Sequence, residues 1–208
     1  IKAREMLDEA GYSDMQIMAS NSLDEYLVRD LLSQGAQIDS FGIGERLITS
    51  KSEPVFGGVY KLVAVEDENG EIIPKIKVSE NVEKITTPHF KQAYRFFDKL
   101  TGKALGDVLT LRDEVINEEQ PYMLFHPIHT WKKKIVTDYV VKPLQVQLFD
   151  KGECVYECPP VEEVRQYCHD QIETLWEQIR RFENPQTYYV DYSTKLWRVK
   201  NALLEAVQ

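Results

Sequence analysis

From Phe41 to Thr49 the chain reads Phe-Gly-Ile-Gly-Glu-Arg-Leu-Ile-Thr, and this run closes an apolar stretch, Ala36 to Phe41, that reads as a strand. Glycine tolerates positive φ and lets a ligand come close to the backbone. Successive free N–H groups in such a turn form a concavity suited to an anion. What precedes the run constrains the fold. Ile1, Ala3, Met6, Leu7 and Ala10 fall at helical spacing, with Gly11 as a stop. Met15 to Ala19 is a short apolar run consistent with a buried strand, and Ser20-Asn21 turn the chain. Ser22 and Glu25 fit a capping box. Leu23, Tyr26, Leu27 and Leu31 then give a helix its apolar face, with Gly35 to end it. Helix, strand, helix, strand and loop in quick succession predict parallel strands joined by helices. In such units ligands sit beyond the carboxyl ends of the strands. Both Ser20-Asn21-Ser22 and Gly42-Ile43-Gly44 come to that rim.

Beyond this region the pattern changes. Val59 to Glu66 and Lys75 to Ser79 read as strands joined through Asn69-Gly70, a hairpin signal. Gln92 to Asp98 and Leu105 to Asp113 form a second pair around Thr101-Gly102. Leu144 to Phe149 and Cys154 to Glu157 form a third around Asp150-Lys151-Gly152. Pro160 starts a helix whose face is Val161, Val164, Cys168, Ile172, Leu175, Trp176, Ile179 and Phe182, ended by Asn184-Pro185. A last helix is predicted over Thr194 to Ala206. The expected division is 1–58 for the βα units, 59–158 for a β-rich α+β region and 159–208 for a helical segment.

The 208 residues carry a formal net charge of −9. That field repels a nucleic-acid backbone, so no nucleic-acid partner is expected. Lys132-Lys133-Lys134 is a local exception and reads as a solvated turn. No run of about 18 apolar residues occurs, so no membrane span is expected, and no signal peptide is visible. Three cysteines make no disulfide framework, and a reducing cytoplasm is the expected location. The chain begins at Ile1, already inside a helix-like pattern, so a fragment is expected.

Three strings carry a resemblance: Ala19-Ser20-Asn21-Ser22-Leu23-Asp24-Glu25, then Ile38-Asp39-Ser40-Phe41-Gly42-Ile43-Gly44, then Phe56-Gly57-Gly58-Val59-Tyr60-Lys61. With Lys77-Val78-Ser79-Glu80, Lys84-Ile85-Thr86-Thr87-Pro88 and Asn184-Pro185-Gln186-Thr187-Tyr188-Tyr189-Val190, the chain resembles the carboxyl-terminal half of a nicotinate phosphoribosyltransferase. The resemblance implies an α/β fold: the last part of an irregular (β/α) barrel, followed by an antiparallel, β-rich α+β region and C-terminal helices. It implies an enzyme that joins nicotinate to phosphoribosyl pyrophosphate, coupled to ATP hydrolysis through a phosphohistidine, with Mg²⁺. It also implies a homodimer, and an upstream half of the same protein that holds the catalytic residues. The related nicotinamide and quinolinate transferases are the alternative within enzymes. A non-catalytic interaction module using Trp131, Trp176 and Trp197 is the alternative outside them.

The resemblance places the substrate's 5′-phosphate at a loop of Gly42, Ile43, Gly44 and Glu45 with Ser20 and Asn21, held by backbone N–H groups and not by the Glu45 side chain. Relatives often have Thr where this chain has Glu45, and a carboxylate beside a phosphate is repulsive. Glu45 is therefore expected to point away, to pair with Arg46 or Lys61, or to act through Mg²⁺ or water. Gly57 and Gly58 read chiefly as a turn into the next strand, with a rim contact as the second reading, and Lys61 is a candidate reaching the rim from a strand. None of His89, His126, His129 and His169 is expected to accept the phosphoryl group. His126 and His129 read as a loop. Cys154, Cys158, Cys168 and His169 are not expected to bind zinc, since C-x₃-C-x₉-C-H is no familiar knuckle and Cys168 fits an apolar helix face.

Overall fold

The computed structural model describes residues 1–55 and 57–206. They divide into two compact units, Ile1–Tyr60 and Lys61 onward. Phe56, which opens one of the strings above, lies outside the described residues.

The first unit runs α1 (Lys2–Glu9), β1 (Met18–Ser20), α2 (Glu25–Ser33), β2 (Ser40–Gly42) and α3 (Glu45–Ile48). Strands β1 and β2 pair in parallel, with Met18 opposite Ser40, Ala19 opposite Phe41 and Ser20 opposite Gly42. Asp39 fixes this register from outside the ladder, because its Oδ2 accepts the Ile17 N–H at 2.7 Å. Both strands are shorter than expected and lie later in the chain, so that Ser20 and Gly42 end strands rather than begin loops. The capping box is also corrected. Asn21 and Ser22 take left-handed φ values of 94° and 50°, which carries the cap position on to Asp24. Its Oδ1 accepts the Leu27 N–H at 2.9 Å. Leu23 is buried beneath, whereas Met18, Leu32, Leu47 and Ile48 are exposed. A parallel pair normally buries both faces, and two strands with three helices leave much of that surface open.

In the second unit a short hairpin comes first, β3 (Ala64–Glu66) with β4 (Ile72–Pro74). Asp67 Oδ1 accepts the N–H groups of Asn69 and Glu71, and Gly70 takes φ 81°, so Asn69-Gly70 turns the chain as predicted. The paired strand is Ile72–Pro74 and not Lys75 to Ser79, since so tight a turn returns the chain at once. A single 3-10 turn, Val82–Lys84, follows.

The main sheet is built on β5 (Lys91–Asp98) and β6 (Ala104–Leu111). Asp98 Oδ1 closes their turn by accepting from the Thr101 N–H at 2.7 Å and its hydroxyl at 2.8 Å. A bulge at Phe96/Phe97 coincides with Gly106 at φ 153°. Next come β7 (Tyr122–Phe125), β8 (Lys133–Val136) and β9 (Tyr139–Pro143), none of them expected from the sequence. β7 and β8 form a hairpin, and β9 joins the free edge of β5. β10 (Phe149–Asp150) and β11 (Glu153–Cys154) shrink the third predicted hairpin to two residues a side, turned by Lys151 and Gly152 at φ 48° and 88°. α4 (Val161–Glu173), α5 (Glu177–Arg180), β12 (Val190–Tyr192) and α6 (Thr194–Glu205) complete the chain. The sheet order is β12-β6-β5-β9, antiparallel except that β12 runs parallel to β6.

The core lies between this sheet and the β7–β8 hairpin, where Phe96, Val108, Leu124, Val136 and Tyr139 are buried together. Ser193 caps α6 by accepting the Leu196 N–H, and Leu196 is fully buried. The long predicted helix after Pro160 is broken. Thr174 ends α4, and Trp176 is extended at ψ 148°. The break docks on the start of β6: Ala104 N–H donates to the Thr174 carbonyl at 2.8 Å, and Trp176 Nε1 donates to the Ala104 carbonyl at 3.0 Å. No described residue of α4 is buried. Val161, Val164 and Cys168 are exposed, so the helical spacing read there correctly gives a helix but not a covered face.

Candidate active site

The two loops predicted to grip phosphate leave neighbouring strands at the same end. Ser20 stands opposite Gly42 in the β1–β2 ladder, and a Cβ added at Gly42 would lie 3.2 Å from the Ser20 Cβ. Only glycine lets the strands end this close without displacing Ser20. The chain then turns through Asn21 and Ser22 on one side and through Ile43 and Gly44 on the other. Gly44 precedes α3, whose first residue is Glu45.

Asp24 joins the two sides. Its Oδ1 caps α2, and its Oδ2 accepts from the Arg46 guanidinium of α3. The Leu27 N–H first, and then Arg46, hold the Asp24 carboxyl below the usual carboxylate range, against the opposing effect of burial. Arg46 is therefore tied to Asp24 rather than to Glu45, and the Glu45 side chain is exposed. A cavity of about 370 Å³ opens here, lined by Asp24, Glu25, Val28, Ile43, Arg46 and Ser50 among others. Half-buried Arg46 gives it a cation held by Asp24.

The remaining candidates belong to other segments of the chain. Gly57 and Gly58 belong to an exposed segment without regular structure. Lys61 is exposed and precedes β3, which begins only at Ala64, so its expected place in a strand is corrected. His89 takes φ 78° ahead of β5. His126 and His129 lie in the β7–β8 loop with their rings stacked at 4.9 Å. His169 is exposed on α4, 3.8 Å from Asp170. Cys154, Cys158 and Cys168 are exposed free thiols. Trp131 is exposed, whereas Trp197 donates through Nε1 to the Pro127 carbonyl at 3.0 Å. Lys133 and Lys134 belong to β8 rather than to a turn. The residues that sequence reasoning missed are Asp24 and its partnership with Arg46. The signal was an Asp one residue before the helical run, which the Ser22–Glu25 pattern overshadowed.

The second unit holds a polar cluster of its own. Arg95 reaches across β5–β6 to Asp107 with two bonds, 2.8 and 2.9 Å, and the Tyr188 hydroxyl donates to Asp107 Oδ1 at 2.7 Å. Arg95 also lies 5.5 Å from the Tyr188 ring centre. This cluster pins the segment before β12 to the sheet. Among the described residues no helix is long and apolar enough to cross a membrane.

Known proteins are similar to this chain. The pattern describing the nicotinate phosphoribosyltransferase C-terminal domain matches residues 90–200. Nicotinate phosphoribosyltransferase of Bacillus subtilis is 41% identical over 207 residues, covering 100% of this chain and 42% of that protein. The Homo sapiens protein of the same name is 30% identical over 187 residues, covering 90% of this chain and 34% of that protein. The crystal structure of human nicotinic acid phosphoribosyltransferase superposes with a TM-score of 0.68 at 24% identity, over 97% of this chain and 36% of that one. That last likeness bears on the fold, which is mixed α/β with antiparallel sheets. The chain thus spans some two fifths of the length of its bacterial relative. Its second unit carries the family's C-terminal domain, and the chain belongs to the nicotinate phosphoribosyltransferase family.

Proposed function

We propose that this chain supplies the 5′-phosphate grip of a nicotinate phosphoribosyltransferase. The complete enzyme joins nicotinate to phosphoribosyl pyrophosphate, giving nicotinate mononucleotide and pyrophosphate in NAD biosynthesis, at the cost of ATP hydrolysis. One observation carries this reading: Ser20 and Gly42 are register partners at the carboxyl ends of parallel strands, which sets their two loops side by side. Backbone N–H groups of Gly42, Ile43 and Gly44, with Ser20 and Asn21, would donate to the phosphate oxygens. Such charge-assisted bonds are short and strong, and a preformed loop needs little reordering. Glu45 takes no phosphate contact through its exposed side chain. Gly57 and Gly58 are proposed as further rim contacts.

On this reading β1 and β2 are strands of an irregular (β/α) barrel completed by other parts of the polypeptide. The exposed Met18 supports it, since a parallel strand is ordinarily covered on both faces. Nicotinate, ATP and the phosphoryl-accepting histidine are assigned to those other parts, and none of this chain's four histidines takes that role. Among the described residues no three His, Cys, Asp or Glu gather to hold a metal. Mg²⁺ prefers phosphate oxygens with one or two carboxylates and would arrive with the substrates of the complete enzyme. A cytoplasmic homodimer completes the proposal.

Steady-state kinetics of the complete polypeptide tests it. Gly42→Val drives a branched side chain against Ser20 and is expected to raise KM for phosphoribosyl pyrophosphate by about ten- to a hundredfold, the loss of one charge-assisted bond or more. Gly44→Ala meets nothing within 4 Å and is expected to have the smaller effect. An unchanged KM in Gly42→Val, with the protein folded, overturns the assignment.

A further inference from the structure

Asp191 of β12 stands beside Val108 in the sheet register, next to a core residue. It is 7% exposed, and its Oδ1 is buried without a hydrogen-bond partner. A buried carboxylate oxygen is ordinarily satisfied, and one left without a donor calls for an explanation. Asp191 lines a cavity of about 280 Å³ together with His126, Lys132, Lys133, Lys134 and Tyr189.

The polarity of this cavity is specific. His126 Nδ1 accepts the N–H groups of Ile128 at 3.1 Å and His129 at 2.9 Å. The neutral ring then carries its proton on Nε2, as a donor. Burial first, then the electrostatic influence of His129 and Lys132, pushes the ring below the ordinary histidine range, which favours its neutral form. Lys132, Lys133 and Lys134 line the cavity as exposed residues at its rim, and Lys134 stands opposite core residue Leu124 in the β7–β8 register. The cavity thus combines an acceptor in want of a donor, a ring N–H donor and lysine cations. A bare cation is repelled by the lysines. A fully deprotonated anion sets its oxygens against the Asp191 carboxylate. An oxyanion that carries its own proton satisfies every group at once.

We propose that this cavity binds hydrogenphosphate: one P–OH donates to Asp191, and the other oxygens accept from His126 Nε2 and the lysines. Burial pushes the Asp191 carboxyl up to about 6, so near neutral pH it is ionised and acts as the acceptor. Sulfate has the same shape and size but no proton near neutral pH, so it is refused by the unpaired acceptor. The cavity lies within the second unit, and the proposal does not rest on the phosphoribosyl reading.

The test is titration of the full chain, labelled isotopically in histidine, with inorganic phosphate and with sulfate near neutral pH. His126 lines this cavity, and its ring signal reports it. Phosphate is expected to shift that signal saturably, with an affinity exceeding that of sulfate by about ten- to a hundredfold. Asp191→Asn, whose amide can donate to either ion, is expected to abolish the preference. Ribose 5-phosphate is the second arm: shifting the same signal, it extends the site to phosphate monoesters, and failing to, it restricts the site to the free ion. Equal response to phosphate and sulfate in the unsubstituted protein, or no response to either, overturns the proposal, and that comparison needs no variant to fold.

Discussion

The Arg46 guanidinium of α3 closes on Asp24, the residue that caps α2, so one carboxylate fastens the helices that follow both candidate phosphate loops. Asp24→Ala removes the cap and the ion pair together and is expected to lower the unfolding midpoint. Asp24→Asn keeps a capping oxygen and is expected to lower it less. The folded carboxyl titrates below its unfolded value, so its contribution is present above about pH 4 and is lost as pH falls through the folded pKa. Thermal unfolding across this acid range should fall more steeply with acidification in the unsubstituted protein than in Asp24→Asn.

Arg95, Asp107 and Tyr188 predict a graded series. Tyr188→Phe removes one donor but leaves the bidentate pair, and should cost about 1 kcal/mol. Asp107→Ala strands a half-buried guanidinium and should cost about 2 to 4 kcal/mol. Urea unfolding of each variant, with Arg95→Met/Asp107→Ala as the double replacement, checks the order. The double variant is expected to recover part of the loss seen in Asp107→Ala.

Asp191 gives a pH dependence of opposite sign. Burial raises its folded carboxyl to about 6, so the folded state binds the extra proton between the unfolded and folded values. Its contribution is complete below about pH 4 and is lost as pH rises through about 6. Asp191→Asn should therefore gain stability relative to the unsubstituted chain as pH climbs through this window. Unfolding midpoints measured across it check the sign, and parallel curves for the two proteins contradict it.

Local chemistry was legible wherever one residue decides the backbone. Asn69-Gly70, Gly102, Lys151-Gly152 and Pro160 all mark real turns or helix starts. Elements defined by distant partners were not. β7, β8, β9 and β12 have three to five residues each, and Lys133-Lys134 hides a strand inside a charge run. The parallel seating of β12 on β6 depends on Tyr188, Asp107 and Arg95 meeting across 81 residues of sequence. At the candidate site, Gly42 and Ser20 were visible as loop residues, yet their direct opposition follows from a register that Asp39 and Ile17 set. Asp24 was masked by an equally good capping pattern two residues earlier. The apolar spacing of α4 predicts its helix but not its exposure, because periodicity does not reveal what covers a face.

The most direct test of the phosphate grip is a crystal structure of the complete polypeptide with ribose 5-phosphate. The account predicts the phosphate between Ser20-Asn21 and Gly42-Ile43-Gly44, with at least two of these backbone N–H groups within hydrogen-bonding distance and the Glu45 carboxylate turned away. A phosphate seated elsewhere, with these loops empty, contradicts it.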